Sequence, residues 1–78
     1  MSGYKYRLEV EIIESLGVLD IRKNGWRTEV NLISWDKGPP VIDIRDWLFD
    51  HSRKSKGVNF TEAQAAALAV ILSRKYSS

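Results

Sequence analysis

Asn24-Gly25 stands between two stretches in which apolar and polar side chains alternate, and no other feature of this sequence narrows the possible folds as much. A two-residue turn of type I′ needs positive φ at both central positions, which Asn and Gly accept readily, and alternation with period 2 marks a strand with one face buried. In the first strand Leu8, Val10 and Ile12 alternate with Arg7, Glu9 and Glu11. Past Ser15 the apolar positions slip to Leu19 and Ile21, with Gly17 at the change, which predicts a bulge or bend within one long strand. A two-residue turn sets Lys23 opposite Trp26, Arg22 opposite Arg27, Ile21 opposite Thr28 and Leu19 opposite Val30. One face then carries Leu19, Ile21, Thr28, Val30 and Leu32 as a core face. The other carries Asp20, Arg22, Arg27, Glu29, Asn31, Ile33 and Trp35.

After Gly38-Pro39-Pro40, a third strand over 41–48 divides in the same way, with Ile42 and Ile44 on one side and Asp43, Arg45 and Trp47 on the other. Val58 and Phe60 form a short fourth strand. Thr61-Glu62-Ala63-Gln64 then has the pattern of a capping box, with Thr61 as the N-cap and Gln64 reaching back to it. The helix that follows is apolar nearly all round from Ala65 to Leu72. Leu68, Ile71 and Leu72 make one stripe for the sheet to cover. Ala66, Ala69 and Val70, with Ser73 one turn on, make a second whose small side chains let a symmetry-related chain approach closely. Arg74 and Lys75 suit the negative end of the helix dipole. The expected fold is α+β, a four-stranded curved antiparallel sheet followed by a C-terminal helix, in one domain spanning 1–78 with its core in 7–76.

A chain of 78 residues without cysteine has no disulfide and no thiolate metal site to hold it together. A folded domain of this size buries only ~60 to 65% of its unfolded surface, so the expectation is a homodimer. Its longest apolar run is far short of the ~20 residues that cross a bilayer, and no basic start with an apolar stretch marks a signal peptide. The expected location is the cytoplasm, at the nucleoid in a bacterium. With 12 Lys and Arg against 10 Asp and Glu, affinity for a polyanion has to come from where the cations sit.

Parity alone collects Arg22, Arg27, Trp35, Arg45 and Trp47 on the polar sheet face. Aromatics beside cations are what a single strand requires, since bases stack on the rings while Arg and Lys hold phosphates. The plainer alternative keeps Trp35 and Trp47 as core or dimer contacts at strand ends, and has Asp20, Glu29 and Asp43 neutralise the arginines. The stretch His51-Ser52-Arg53-Lys54-Ser55-Lys56-Gly57 reads as a loop that clamps phosphate through Arg53, Lys54 and Lys56, or as an ordinary solvated loop. Trp26 falls on the core side at the hairpin end. An enzyme reading finds little: His51 is the only histidine, and no nucleophile set, phosphate-binding glycine loop or cofactor motif can be assembled, so neither a catalytic residue nor a metal ligand is expected.

Gly25-Trp26-Arg27, Ser34-Trp35, Ile42-Asp43-Ile44-Arg45-Asp46-Trp47, Lys56-Gly57-Val58 and Thr61-Glu62, in this order and spacing, resemble the transcriptional coactivator positive cofactor four family in its short bacterial YdbC-like branch. The resemblance spans roughly residues 8 to 76. It implies a curved four-stranded sheet with a terminal helix, dimerised largely through that helix, and binding of single-stranded DNA with little sequence preference. It also implies DNA contacts at Arg45, Trp47, Trp35 and Lys56, with Lys37 the nearest basic residue to the turn where relatives carry one. The resemblance does not extend to the Ser-rich regulatory tail of eukaryotic members, so phosphorylation control and coactivator activity are not implied. Single-stranded DNA is thus the expected partner in transcription, replication or repair, where proteins of those processes are further possible partners. Two other readings stay open, RNA binding through the same face and a protein-interaction dimer without nucleic acid.

Overall fold

The computed structural model describes residues 9 to 76. They form β1 (Val10–Ile21), β2 (Trp26–Trp35), β3 (Pro40–Leu48), β4 (Lys54–Phe60) and α1 (Glu62–Tyr76). The strands make one antiparallel sheet in the order β1-β2-β3-β4, with the helix last, which is the expected ββββα arrangement. Arg7 and Leu8, where the first alternation begins, lie outside the described residues.

The irregularity expected at Gly17 is present and is repeated on both sides of it. Pairing of β1 with β2 shifts between Ile12 and Glu14, between Ser15 and Gly17, and between Val18 and Asp20, leaving Ile13, Leu16 and Leu19 as extra residues. Each bulge adds twist and spoils the regular row of donors and acceptors on this outer strand, which discourages pairing with another chain.

At Asn24-Gly25 the hairpin is there, but its turn is not the one expected. The Gly25 amide donates to the Arg22 carbonyl (3.1 Å) and the Arg22 amide to the Trp26 carbonyl (2.9 Å), so the loop is Lys23-Asn24-Gly25. Gly25 alone takes a positive φ, 91°. A three-residue loop of this kind is a type I turn closed by a glycine in the left-handed region. Contacts from outside the hairpin fix it: the Phe49 amide donates to the Gly25 carbonyl (2.8 Å), and the Phe49 ring lies 3.3 Å from where a Gly25 Cβ would be. The register consequently moves by one residue, and Ile21 faces Arg27 where Thr28 was expected. The type I′ turn occurs instead between β2 and β3, where Asp36 (φ 53°) and Lys37 (φ 64°) occupy its centre and the Gly38 amide donates to Trp35 (2.7 Å).

Burial corrects a second expectation. Leu19 and Ile21, assigned to the core face, are exposed, Ile21 to 71%, while Val30, Leu32, Ile42 and Ile44 are only half-buried. The fully buried residues, Asn31, Ile33 and Asp43, all belong to the face expected to meet solvent. The physical reason is that long amphipathic side chains lie down across this face onto its carboxylates and cover the shorter residues between them. The helix leaves the other face largely bare, because α1 makes its main contacts with β3 and β4 and none of its own residues is buried. Of the stripe assigned to the sheet, Leu68 is half-buried, whereas Ile71 and Leu72 stay exposed. The capping box forms as expected, with the Gln64 amide donating to Thr61 Oγ (3.0 Å) and the Thr61 amide to Gln64 Oε1 (2.9 Å).

Candidate nucleic-acid interface

Cross-strand pairing of Arg27 with Trp47, Glu29 with Arg45 and Asn31 with Asp43 places these side chains on one face of β2 and β3. Two buried carboxylates organise it. Asp43 accepts from Arg45 Nε and Nη2, both at 2.7 Å, and from Asn59 Nδ2. The Arg45 guanidinium also donates to the Ser55 carbonyl (3.2 Å) and lies 4.8 Å from the centre of the Trp35 ring. The Trp35 indole N–H donates to Asn59 Oδ1 (2.8 Å), joining β2 to β4 across the face. Glu29 accepts from Arg27 Nη2 (2.8 Å) and Asn31 Nδ2 (3.1 Å), and its two oxygens lie 2.9 and 3.1 Å from His51 Nε2.

Burial by itself would raise the pKa of Glu29. Hydrogen bonds from His51 and Asn31, the charge of His51 and the hydrogen bond from Arg27 together outweigh it and hold the carboxyl below its ordinary value of 4.5. On the opposite face Asp46 is also lowered, chiefly by the hydroxyl of Thr28.

The expected arginines are therefore engaged. Arg45 and Arg27 are bonded to carboxylates two residues away on their own strands. Arg22 leaves the polar face altogether: the shifted register turns it toward Thr28 (3.3 Å) and Asp46 (2.8 Å) on the other side. Trp35 is half-buried and keeps part of its surface open. Trp47, expected on an exposed face, is 4% exposed, with the His51 ring edge-on at 5.0 Å and the Lys54 ammonium 5.8 Å from its centre.

Residues 54 to 57 belong to β4, not to a loop, so Lys54 and Lys56 project from an outer strand and only Arg53 remains in the connection. The pairing of β3 with β4 shifts between Arg45 and Trp47, which leaves Ser55 and Lys56 in a bulge opposite Asp46 and sets Lys54 opposite Trp47, so Lys54 and not Lys56 reaches the Trp47 side. Gly57 faces Arg45, and a Cβ there would collide with Arg45 Cβ and the Ile44 carbonyl, so the glycine serves close packing and not approach of a phosphate. Lys37 sits at the far end of the face beside Glu9, Glu11 and Ser34, around an open hollow of about 270 Å³. Ala66, Ala69, Val70 and Ser73 are all exposed on α1.

Sequence reasoning passed over Asn59, Ser55 and the role of His51, whereas Glu29 and Asp43 were named in the plainer alternative as neutralising arginines and do so with Arg27 and Arg45. The two carboxylates were legible, since each stands two positions from an Arg on an alternating strand and so on the same side. Nothing local in the sequence connects His51 to Glu29, 22 positions away.

No family model matches the chain. A Treponema pallidum (strain Nichols) protein described as uncharacterised is 40% identical over 62 residues, which cover 80% of this chain and 73% of that one. Identity of that level over most of both chains means that this protein belongs to one family with the Treponema pallidum protein.

Proposed function

We propose that the chain is a homodimeric module that binds single-stranded DNA, with little preference for base, along β4 and the face beside it. The observation that carries this reading is the row Arg53, Lys54 and Lys56. All three are exposed in or beside β4, Lys54 opposite Trp47, and among the described residues none has a carboxylate within ion-pair distance. Such cations hold phosphates, while Arg22, Arg27 and Arg45 serve to position neighbouring side chains. Lys37 adds a further cation at the end of the face, and the half-open Trp35 offers a ring for a base. A duplex hides its bases from such a surface. The family resemblance in the sequence points the same way, toward transcription, replication or repair in the cytoplasm. Among the described residues no helix is long and apolar enough to cross a membrane.

The homodimer reading rests on α1, where Val70, Ile71 and Leu72 are exposed in the single chain beside Ala66 and Ala69. A contiguous apolar surface on so small a chain is what a second copy would cover. Titration of fluorescently labelled single-stranded DNA, RNA and duplex of equal length, at several salt concentrations, tests the function. Single-stranded DNA should bind more tightly than duplex, and log affinity should fall linearly with log salt. Tighter binding of RNA would reassign the ligand. Equal or tighter binding of duplex would sink the reading, and absence of nucleic-acid binding would leave the apolar surface to a protein partner.

A further inference from the structure

We propose that His51 is an internal competitor for the nucleobase: in the free protein its ring closes over Trp47, held there by Glu29, and a base reaches Trp47 by displacing it. This rests on the proposed function and adds a gate to it. Trp47 is the aromatic nearest the β4 cations, with the Lys54 ammonium 5.8 Å from its ring, yet it is nearly inaccessible. The His51 imidazole lies against it, the ring centres 5.0 Å apart and the planes at 70°.

The surroundings of His51 allow this closed arrangement to open. His51 has φ 62°, a left-handed conformation that His adopts more readily than most residues with a side chain, so its backbone holds when the ring rotates. Trp47 Nε1 is buried without a hydrogen-bond partner among the described residues, whereas buried indole N–H groups ordinarily have one. Against that cost stands the contact of His51 Nε2 with Glu29. Glu29 keeps Arg27 and Asn31 as partners when the imidazole leaves, so opening strands no buried charge. His51 belongs to the connection between β3 and β4, Phe49 to Arg53, in which every residue is exposed and the Asp50 carboxylate is bonded to Ser52. Swinging the ring outward therefore disturbs no strand. It would place an open indole beside Arg53 and Lys54, the arrangement a base and its flanking phosphates need.

The test uses the full chain. The indole N–H of Trp47, assigned with a Trp47→Phe variant, reports the cover directly through its exchange with water in NMR spectra of the free protein. His51→Gly removes the ring and suits the positive φ, and His51→Asn, also tolerant of that conformation, is too short to reach across Trp47. In either variant, shown folded by its amide spectrum, exchange of the Trp47 indole proton should quicken by about tenfold or more, as expected when a local cover is lost. Binding of a labelled oligothymidylate should tighten several-fold. Unchanged exchange, or unchanged affinity with faster exchange, would overturn the competitor role. Failure of wild type and variants alike to bind the oligonucleotide would overturn the nucleic-acid reading and with it the competitor, while the exchange measurement still decides whether His51 covers Trp47.

Discussion

Arg45 and Lys54 carry the same charge on neighbouring strands, yet their surroundings assign them opposite tasks. The Asp43 carboxylate is fully buried, and Arg45 is its charged partner. Removing one member of a buried ion pair costs about 3–5 kcal/mol, and a domain of this size has only about 5–10 kcal/mol in total. Arg45→Ala should therefore show as lost stability in circular dichroism and urea unfolding before it shows as lost binding. Lys54→Ala should leave the unfolding curve in place and reduce the slope of log affinity against log salt by about 0.7, the value for one phosphate contact on a single strand. Gly57→Ala should cost about 1–3 kcal/mol in urea unfolding, because the new methyl group meets Arg45 Cβ and the Ile44 backbone. Glu29 adds a pH dependence. Its pKa in the folded chain lies below the ordinary 4.5, so the stabilisation it gives is present above that value and disappears as pH falls through the folded-state pKa. In urea unfolding at successively lower pH, Glu29→Gln should flatten the loss of stability on acidification relative to wild type.

At the level of elements, the two hairpin turns exchange the chemistry their sequences suggest. Asn24-Gly25 is suited to type I′ but forms a three-residue loop, while the I′ conformation falls on Asp36, which tolerates positive φ, and Lys37, which does not favour it. The β2–β3 turn must close there because Ser34 pairs with Pro40 and Ser34 Oγ donates to the Gly38 carbonyl (2.7 Å). Asp36→Asn together with Lys37→Gly should raise stability by about 1 kcal/mol in urea unfolding, chiefly by relieving Lys37 of a disfavoured conformation. A midpoint that does not rise would show that the turn is not strained. At the head of α1, Thr61→Ala removes one arm of the capping box and should cost about 1 kcal/mol by the same measurement.

For the whole molecule the governing fact is that the sheet and helix do not bury their apolar surface within one chain. The described residues leave Val58, Val70, Ile71 and Leu72 about half exposed, while the interior consists mainly of polar side chains bonded to one another. Sedimentation should find two copies of the wild-type chain together. Val70→Lys, which sets a charge in the exposed stripe of α1, should give monomer or unfolded chain. A folded Val70→Lys dimer would move the interface away from that stripe.

Period-2 alternation in β2 and β3, the capping box at Thr61 and the slip near Gly17 depend on residues adjacent in sequence, and strand order and helix position followed from them. The same alternation put Arg27, Arg45 and Trp47 on one face, as the pairing of β2 with β3 bears out. Alternation states which side chains share a side; it does not state which side is buried. That was decided by contacts between residues far apart in the chain, namely His51 on Glu29, Asn59 on Asp43 and Phe49 on Gly25. The last of these fixed the β1–β2 turn, and a one-residue change of register carries Ile21 and Arg22 to opposite faces. The first two turned an apparently open basic face into a bonded interior, because a buried carboxylate must be partnered and the nearest long cationic and aromatic side chains bend over to partner and cover it.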